Sequence, residues 1–140
     1  MGFSYITPMA LKTTRPSEHQ EQSRFFAVIR RMAETDPRLQ GAFAIPNGFL
    51  DSKSKRIRAW EEGILSGVPD VFIPWPSKGH HGLFLEFKAQ GGRVSKAQED
   101  FLNLVRPRGY KAQVVYGLRE GLQALKDYLE GEPPSERESS

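Results

Sequence analysis

Apolar residues recur along this chain at two spacings, one helical and one extended. From Ser17 to about Glu34, Phe25, Phe26, Ile29, Met32 and Ala33 share one helical stripe. Ser17 is placed to cap that helix, Gln20 completes a capping box three residues on, and Asp36-Pro37 ends it. Ala42-Phe43-Ala44-Ile45 reads as a short strand stopped by Pro46-Asn47-Gly48. Val71-Phe72-Ile73 and Leu83 to Lys88 form two further extended runs, joined by a loop from Pro74 to Gly82. The second run is apolar on both faces, as a central strand is. Ser95, with Gln98 at the capping-box position, opens a helix whose buried stripe is Ala97, Phe101, Leu104 and Val105; Pro107 and Gly109 close it. Lys111 to Tyr116 predicts another strand, and Leu118, Leu122, Leu125 and Leu129 mark a last amphipathic helix.

That order predicts an α/β domain over residues 17–130, with a mixed central sheet of about four strands flanked by helices. Residues 1–16 carry Pro8 and Pro16 and no clear period, and read as an arm that is mobile or bound to a partner. From Gly131 the chain is Glu, Pro and Ser without apolar anchors, so a disordered tail is expected over 131–140.

Composition narrows the function classes only a little. The length of 140 residues suits one domain, and 38% hydrophobic with 26% charged residues suits a soluble globular one. No apolar run approaches the ~20 residues of a membrane span. No basic segment near the N-terminus leads into an apolar core, so no secretory signal is expected. Without cysteine there is no disulfide, thiolate metal site or cysteine nucleophile, which fits a cytoplasmic setting. The net charge of +3 permits a nucleic-acid partner without demanding one. Clustering says more: Lys53, Lys55, Arg56 and Arg58 put four cations in six positions. A solvated face accounts for such a run in an arbitrary protein. Ahead of the groups described next, phosphate contact is the better reading.

Asp70 opens the first run of the predicted hairpin, and Glu86 and Lys88 close the second. Residues two apart leave a strand on one face, so Glu86, Lys88 and Phe84 point the same way. If the runs pair, Asp70 and Glu86 converge. Two carboxylates beside a lysine suit metal-assisted phosphodiester hydrolysis, because hard oxygen ligands hold Mg²⁺, the ion lowers the pKa of a bound water, and an ammonium orients that water or offsets charge. Singly, Asp70 is a strand-start cap after Pro69, and Glu86 with Lys88 is an exposed ion pair worth ~0–1 kcal/mol. On the first helix Glu18 falls near the centre of the apolar stripe and Glu21 on its flank; a first-turn carboxylate also favours the helix dipole. His80 and His81 are adjacent, point apart on extended chain and have no third imidazole near, so they read as ordinary loop residues. Trp75, between two prolines, is exposed or packed on a partner.

The order P-D, then E-x-K, resembles the signature of the PD-(D/E)XK nuclease superfamily. Gly67-Val68-Pro69-Asp70, Gly82 to Lys88, Gly92-Arg93-Val94-Ser95-Lys96-Ala97-Gln98 and Gly109-Tyr110 together resemble a stand-alone, virus-type (phage) VRR-NUC domain, related to Holliday junction resolvases, from roughly Ser17 to Glu130. The resemblance implies a restriction-endonuclease-like core and an Mg²⁺- or Mn²⁺-dependent endodeoxyribonuclease leaving 5′-phosphates. It implies Glu18, Asp70, Glu86 and the Phe87 carbonyl as metal ligands. The family places a metal-binding Glu on its first helix four residues before a Gln, and Glu18 and Gln22 match, with Glu21 as the fallback. Lys88 would position water, and Gln98 would sit beside it, unless Gln98 only caps Ser95. Asn47, in an Ile-Pro-Asn-Gly block, is expected near the site. DNA contacts are expected at Asn47, Lys53, Lys55, Arg56, Arg58, Arg93 and Lys96. The V-R-R motif itself has no clean copy; Gly92-Arg93-Val94 stands there loosely.

The implied substrate is branched DNA such as a four-way junction, cut by a homodimer in a DNA-repair setting, in the host cytoplasm if the chain is viral. One small domain carries one site, a junction has two-fold symmetry, and a C₂ dimer supplies two matched sites. Phe3, Tyr5, Ile6 and Trp75 are the apolar residues left over for such a contact. Three alternatives stand: a monomer cutting flaps or duplexes, a sequence-specific enzyme of restriction type, and a DNA-binding module with little catalysis. Little chain remains for base reading in the second, and the third has no need of the Asp, Glu and Lys set.

Overall fold

The computed structural model describes residues 16–46 and 52–130. The arm (except Pro16), Asn47 and the tail lie outside them. Ser17 caps α1 (Glu18–Ala33) in a complete capping box with Gln20. A 3₁₀ turn (Pro37–Leu39) leads to β1 (Phe43–Ala44), α2 (Lys53–Glu61), β2 (Val71–Ile73) and β3 (Leu83–Lys88). α3 (Lys96–Val105), a second 3₁₀ turn, β4 (Lys111–Tyr116) and α4 (Leu118–Leu129) follow. Among the described residues the four strands form one sheet in the order β1-β2-β3-β4, antiparallel except for the parallel β3–β4 pair.

β3 serves both faces of that sheet. Leu83, Leu85 and Phe87 enter the larger core with Phe25, Phe26 and Ile29 of α1 and Ala124, Leu125, Tyr128 and Leu129 of α4. Phe84 packs on the other face with Phe101, Leu102 and Val105 of α3 and with Tyr110 and Ala112. Each fully buried Leu or Phe contributes roughly 1.5–3 kcal/mol, so the three layers are held chiefly through this strand. α4 approaches it closely because Gly121 has no side chain: a Cβ there would lie 2.8 Å from the Phe87 ring.

Three expected core positions are instead exposed. On α1 the core line is Phe25, Ile29 and Ala33, at four-residue steps, which leaves Met32 on the flank and 40% exposed. On α3 the sheet receives Leu102 and Val105, so Leu104 turns to solvent at 45% exposure, and Ala97 is exposed in the first turn. β1 is shorter than expected, and the basic run is helical, with Ser52 as its cap.

α4 runs away from the end of β4 to the opposite end of the sheet. There Arg38 donates to the Leu129 carbonyl, Lys78 to Asp127 and Ser77 to Tyr128, while the Tyr128 hydroxyl donates to the Trp75 carbonyl. The loop carrying Trp75 is thus tied to its own chain. No described helix is long and apolar enough to cross a membrane.

Candidate active site

The register of β2 with β3 sets Val71 opposite Leu85, so the preceding residue, Asp70, faces Glu86 across the pair. Asp70 Oδ2 accepts the Phe87 amide at 2.8 Å, and its carbonyl accepts the Ile45 amide at 2.7 Å. The loop leading to Asp70 lies against the start of α3 at Gly67, where φ is +89° and a Cβ would fall 2.3 Å from the Ala97 carbonyl oxygen. Only glycine meets both conditions.

Glu86 is 3% and Lys88 8% exposed, so these two do not form the surface ion pair that the strand pattern allowed. Lys88 Nζ stands 3.7 Å from Glu86 Oε1. Gln98 fills the capping role and also reaches the site. Its Oε1 accepts the Ser95 amide at 2.9 Å, completing a capping box, and its Nε2 donates to Glu86 Oε1 at 2.8 Å. Its partner is therefore the carboxyl, not Lys88. Glu86 Oε2 is buried without a hydrogen-bond partner.

Burial is the main cause of the pKa shifts here. It pushes Glu86 up to about 8, reinforced by Asp70 and Glu18 and opposed by Lys88. Burial also raises Asp70, against the Phe87 amide, with Glu18 adding and Lys88 opposing.

The two first-helix carboxylates have separate places. Glu21 Oε2 accepts the Leu118 amide at 2.6 Å and so caps α4, whose N-cap Gly117 offers no side chain. Glu18 is exposed at the site end of α1, 3.5 Å from the Ala89 amide, and its charge acts on both Asp70 and Glu86. α1, α3 and α4 all begin at this end of β3, which turns the positive ends of three helix dipoles toward it.

A cavity of about 210 Å³ is lined by Ile64, Ser66, Gly67, Asp70, Glu86 and Gln98, among others. A second, of about 340 Å³, adjoins Lys88, Glu21, Gln90 and Tyr116. Lys53, Lys55, Arg56 and Arg58 lie exposed on α2, just before the segment that walls the first cavity. Arg93 is exposed in the β3–α3 loop, and Lys96 is paired with Asp100 at 2.8 Å. Gln22 lines a separate groove with His19 and Arg30. His81 packs edge-on to Tyr110, and His80 lies near Tyr128. Among the described residues no three carboxylate or imidazole side chains already enclose an ion-sized point. Sequence reasoning missed the wall formed by Ile64 and Ser66; the Gly67-Val68-Pro69-Asp70 block was the available pointer to it.

Residues 18–118 match the VRR-NUC domain. A solved structure titled "VRR_NUC domain protein" superposes with a TM-score of 0.64 over 84% of this chain and 91% of that chain, at 20% identity, a likeness in fold. No curated protein matches the chain.

Proposed function

The chain belongs to the VRR-NUC domain family, a nuclease family of PD-(D/E)XK fold, and from that premise we propose that it is a metal-dependent endonuclease that cuts branched DNA as a homodimer. The observation that carries this reading is Asp70 facing Glu86 across two strands with Lys88 beside them, all at one end of the sheet.

The donor set fits a hard divalent cation: the carboxylates of Asp70 and Glu86, the second with a buried oxygen that has no partner, and the strand carbonyl at Phe87. Asp70, Glu86 and the Phe87 carbonyl would hold Mg²⁺ or Mn²⁺, with Glu18 as the third carboxylate. When bound, the ion supplies charge neutralisation at the phosphate and a water of lowered pKa. The chain's own groups do the rest. The Phe87 amide holds Asp70, and the Gln98 amide holds Glu86, each in one orientation. Lys88, 3.7 Å from Glu86, keeps ammonium hydrogens for a water or a phosphate oxygen. The three helix N-termini favour the anionic substrate at this end of the sheet. Phosphates beyond the cut bond meet α2, Arg93 and Lys96, and Asn47, outside the described residues, is proposed as a further DNA contact.

A four-way junction is two-fold symmetric and needs two matched cuts, which a C₂ dimer of single-site domains provides. The test is a cleavage panel of duplex, flap, splayed-arm and four-way DNA with Mg²⁺ and with Mn²⁺, using Asp70→Ala and Lys88→Ala as controls, beside sedimentation at micromolar protein. Paired symmetric nicks, lost in both variants, together with a species twice the mass of one chain, are expected. A 15.8 kDa species throughout overturns the dimer. Full activity in either folded variant overturns the site.

A further inference from the structure

α2 is an unusual helix for its position. Of its nine residues only Ala59 is buried. Ile57 is 50% and Trp60 67% exposed, and beyond the helix Ile64 and Leu65 are 38% and 43% exposed. Ile57 and Trp60 stand three apart on one face of α2, and Ile64 is folded back on the helix end, its amide donating to the Ala59 carbonyl at 2.8 Å, so exposed apolar side chains follow one another from the helix into the next loop. Most of its charges run against the helix dipole: Lys53, Lys55 and Arg56 stand in the first turn and Glu61 ends the helix, while Arg58 alone is placed favourably in the last turn. Stability favours the opposite order. The exposed apolar side chains lead directly into the site, because Ile64 and Ser66 line the same cavity as Asp70 and Glu86.

We propose that α2 is a platform for unpaired nucleotides, with Trp60 stacking a base and the cations of α2 holding the adjoining phosphates. This rests on the nuclease reading and names the form in which its substrate reaches the site: single-stranded or frayed at the branch point. A duplex turns its phosphates outward and hides its base faces in the stack, so it satisfies the cations and leaves the indole idle. An unpaired strand offers both anion and aromatic face. A second copy of this chain is the rival occupant, and sedimentation separates it below.

The experiment uses the full chain with Trp75→Phe, which leaves Trp60 as the single tryptophan and keeps the Trp75 backbone carbonyl that Tyr128 uses. Binding is read in EDTA, without cleavage, so its failure is separate from failure of the nuclease reading, which the Asp70→Ala assay tests. Oligothymidylate is expected to quench Trp60 fluorescence, and a blunt duplex of equal phosphate number is not. In anisotropy titrations Trp60→Ala should weaken oligothymidylate binding about tenfold, Trp60→Phe should retain most of it, and duplex affinity should stay unchanged. Equal losses on both probes, or no loss on either, overturn the proposal. So does a Trp60→Ala protein whose only change is conversion of a dimer to a monomer in sedimentation.

Discussion

Gln98 joins a helix cap to a buried carboxyl: its oxygen accepts the Ser95 amide at 2.9 Å while its nitrogen donates to Glu86 at 2.8 Å. One side chain thereby fixes the start of α3 and the orientation of Glu86. Gln98→Glu keeps the cap acceptor but faces Glu86 with a second carboxyl in place of a donor. It should melt close to the parent and cleave about 10–100-fold more slowly, the usual cost of losing a partner behind a metal ligand. Gln98→Ala should lose rate and also about 1 kcal/mol of stability with the cap. Thermal melts and cleavage rates on the same preparations check both.

Glu86 makes stability depend on pH. Its folded pKa, about 8, lies above the ordinary carboxylate value, so the folded state holds a proton that the unfolded chain releases. The contribution is therefore fully present below about pH 4.5 and lost as pH rises through about 8. Glu86→Gln, which stays neutral, should match the parent near pH 4 and exceed it by roughly 2–5 kcal/mol at pH 9 in EDTA. Denaturant midpoints across that range are the measurement. A constant difference would show that the carboxyl does not titrate in this window.

Glu18 and Glu21 separate by what each removal costs. Glu21→Ala takes the acceptor from the Leu118 amide and should cost about 1 kcal/mol of stability. Its cleavage rate below the melting range should change little. Glu18 is exposed, so Glu18→Ala should leave the melting temperature within error and weaken Mn²⁺ binding, read by calorimetry. The reverse pattern would exchange their roles.

The cations of α2 should act without regard to sequence. Replacing Lys53, Lys55, Arg56 and Arg58 with Ala should weaken binding to unrelated duplexes alike. It should also flatten the log–log salt dependence by ~0.9 for each phosphate that is no longer neutralised. An unchanged slope would make this cluster a solvated surface.

The elements were readable where one physical rule acted alone. Ser17 with Gln20 and Ser95 with Gln98 announce their helix starts, and the capping boxes form. The hairpin and the facing of Asp70 and Glu86 follow from two short apolar runs joined by one loop, with a carboxylate at the matching end of each. Helical phase was less legible. Leu102 and Leu104 are chemically alike, and only the direction from which the sheet approaches α3 decides that Leu102 is buried. The pattern likewise set Glu18 in line with the buried stripe, yet it stands beyond the core at the helix end, where stripe position no longer implies burial. Glu21 found its partner, Leu118, 97 residues away, a pairing that local spacing does not encode. The wall from Ile64 to Ser66 was invisible for the same reason, since it is set by how the loop folds against α3.

The bonds that Arg38, Ser77, Lys78 and Trp75 make to the end of α4 also divide the molecule in time. Amide exchange will be slowest in β3, β4 and the last turns of α4, where a core strand and a fastened helix end open only with the whole fold. Among the described helices it will be fastest in α2, which contributes one buried side chain. The Phe87 amide that holds Asp70 thus belongs to the slow part, and the proposed nucleic-acid surface belongs to the fast part. On the proposed function, the grip on a strand would be refitted many times within the lifetime of an undisturbed active site.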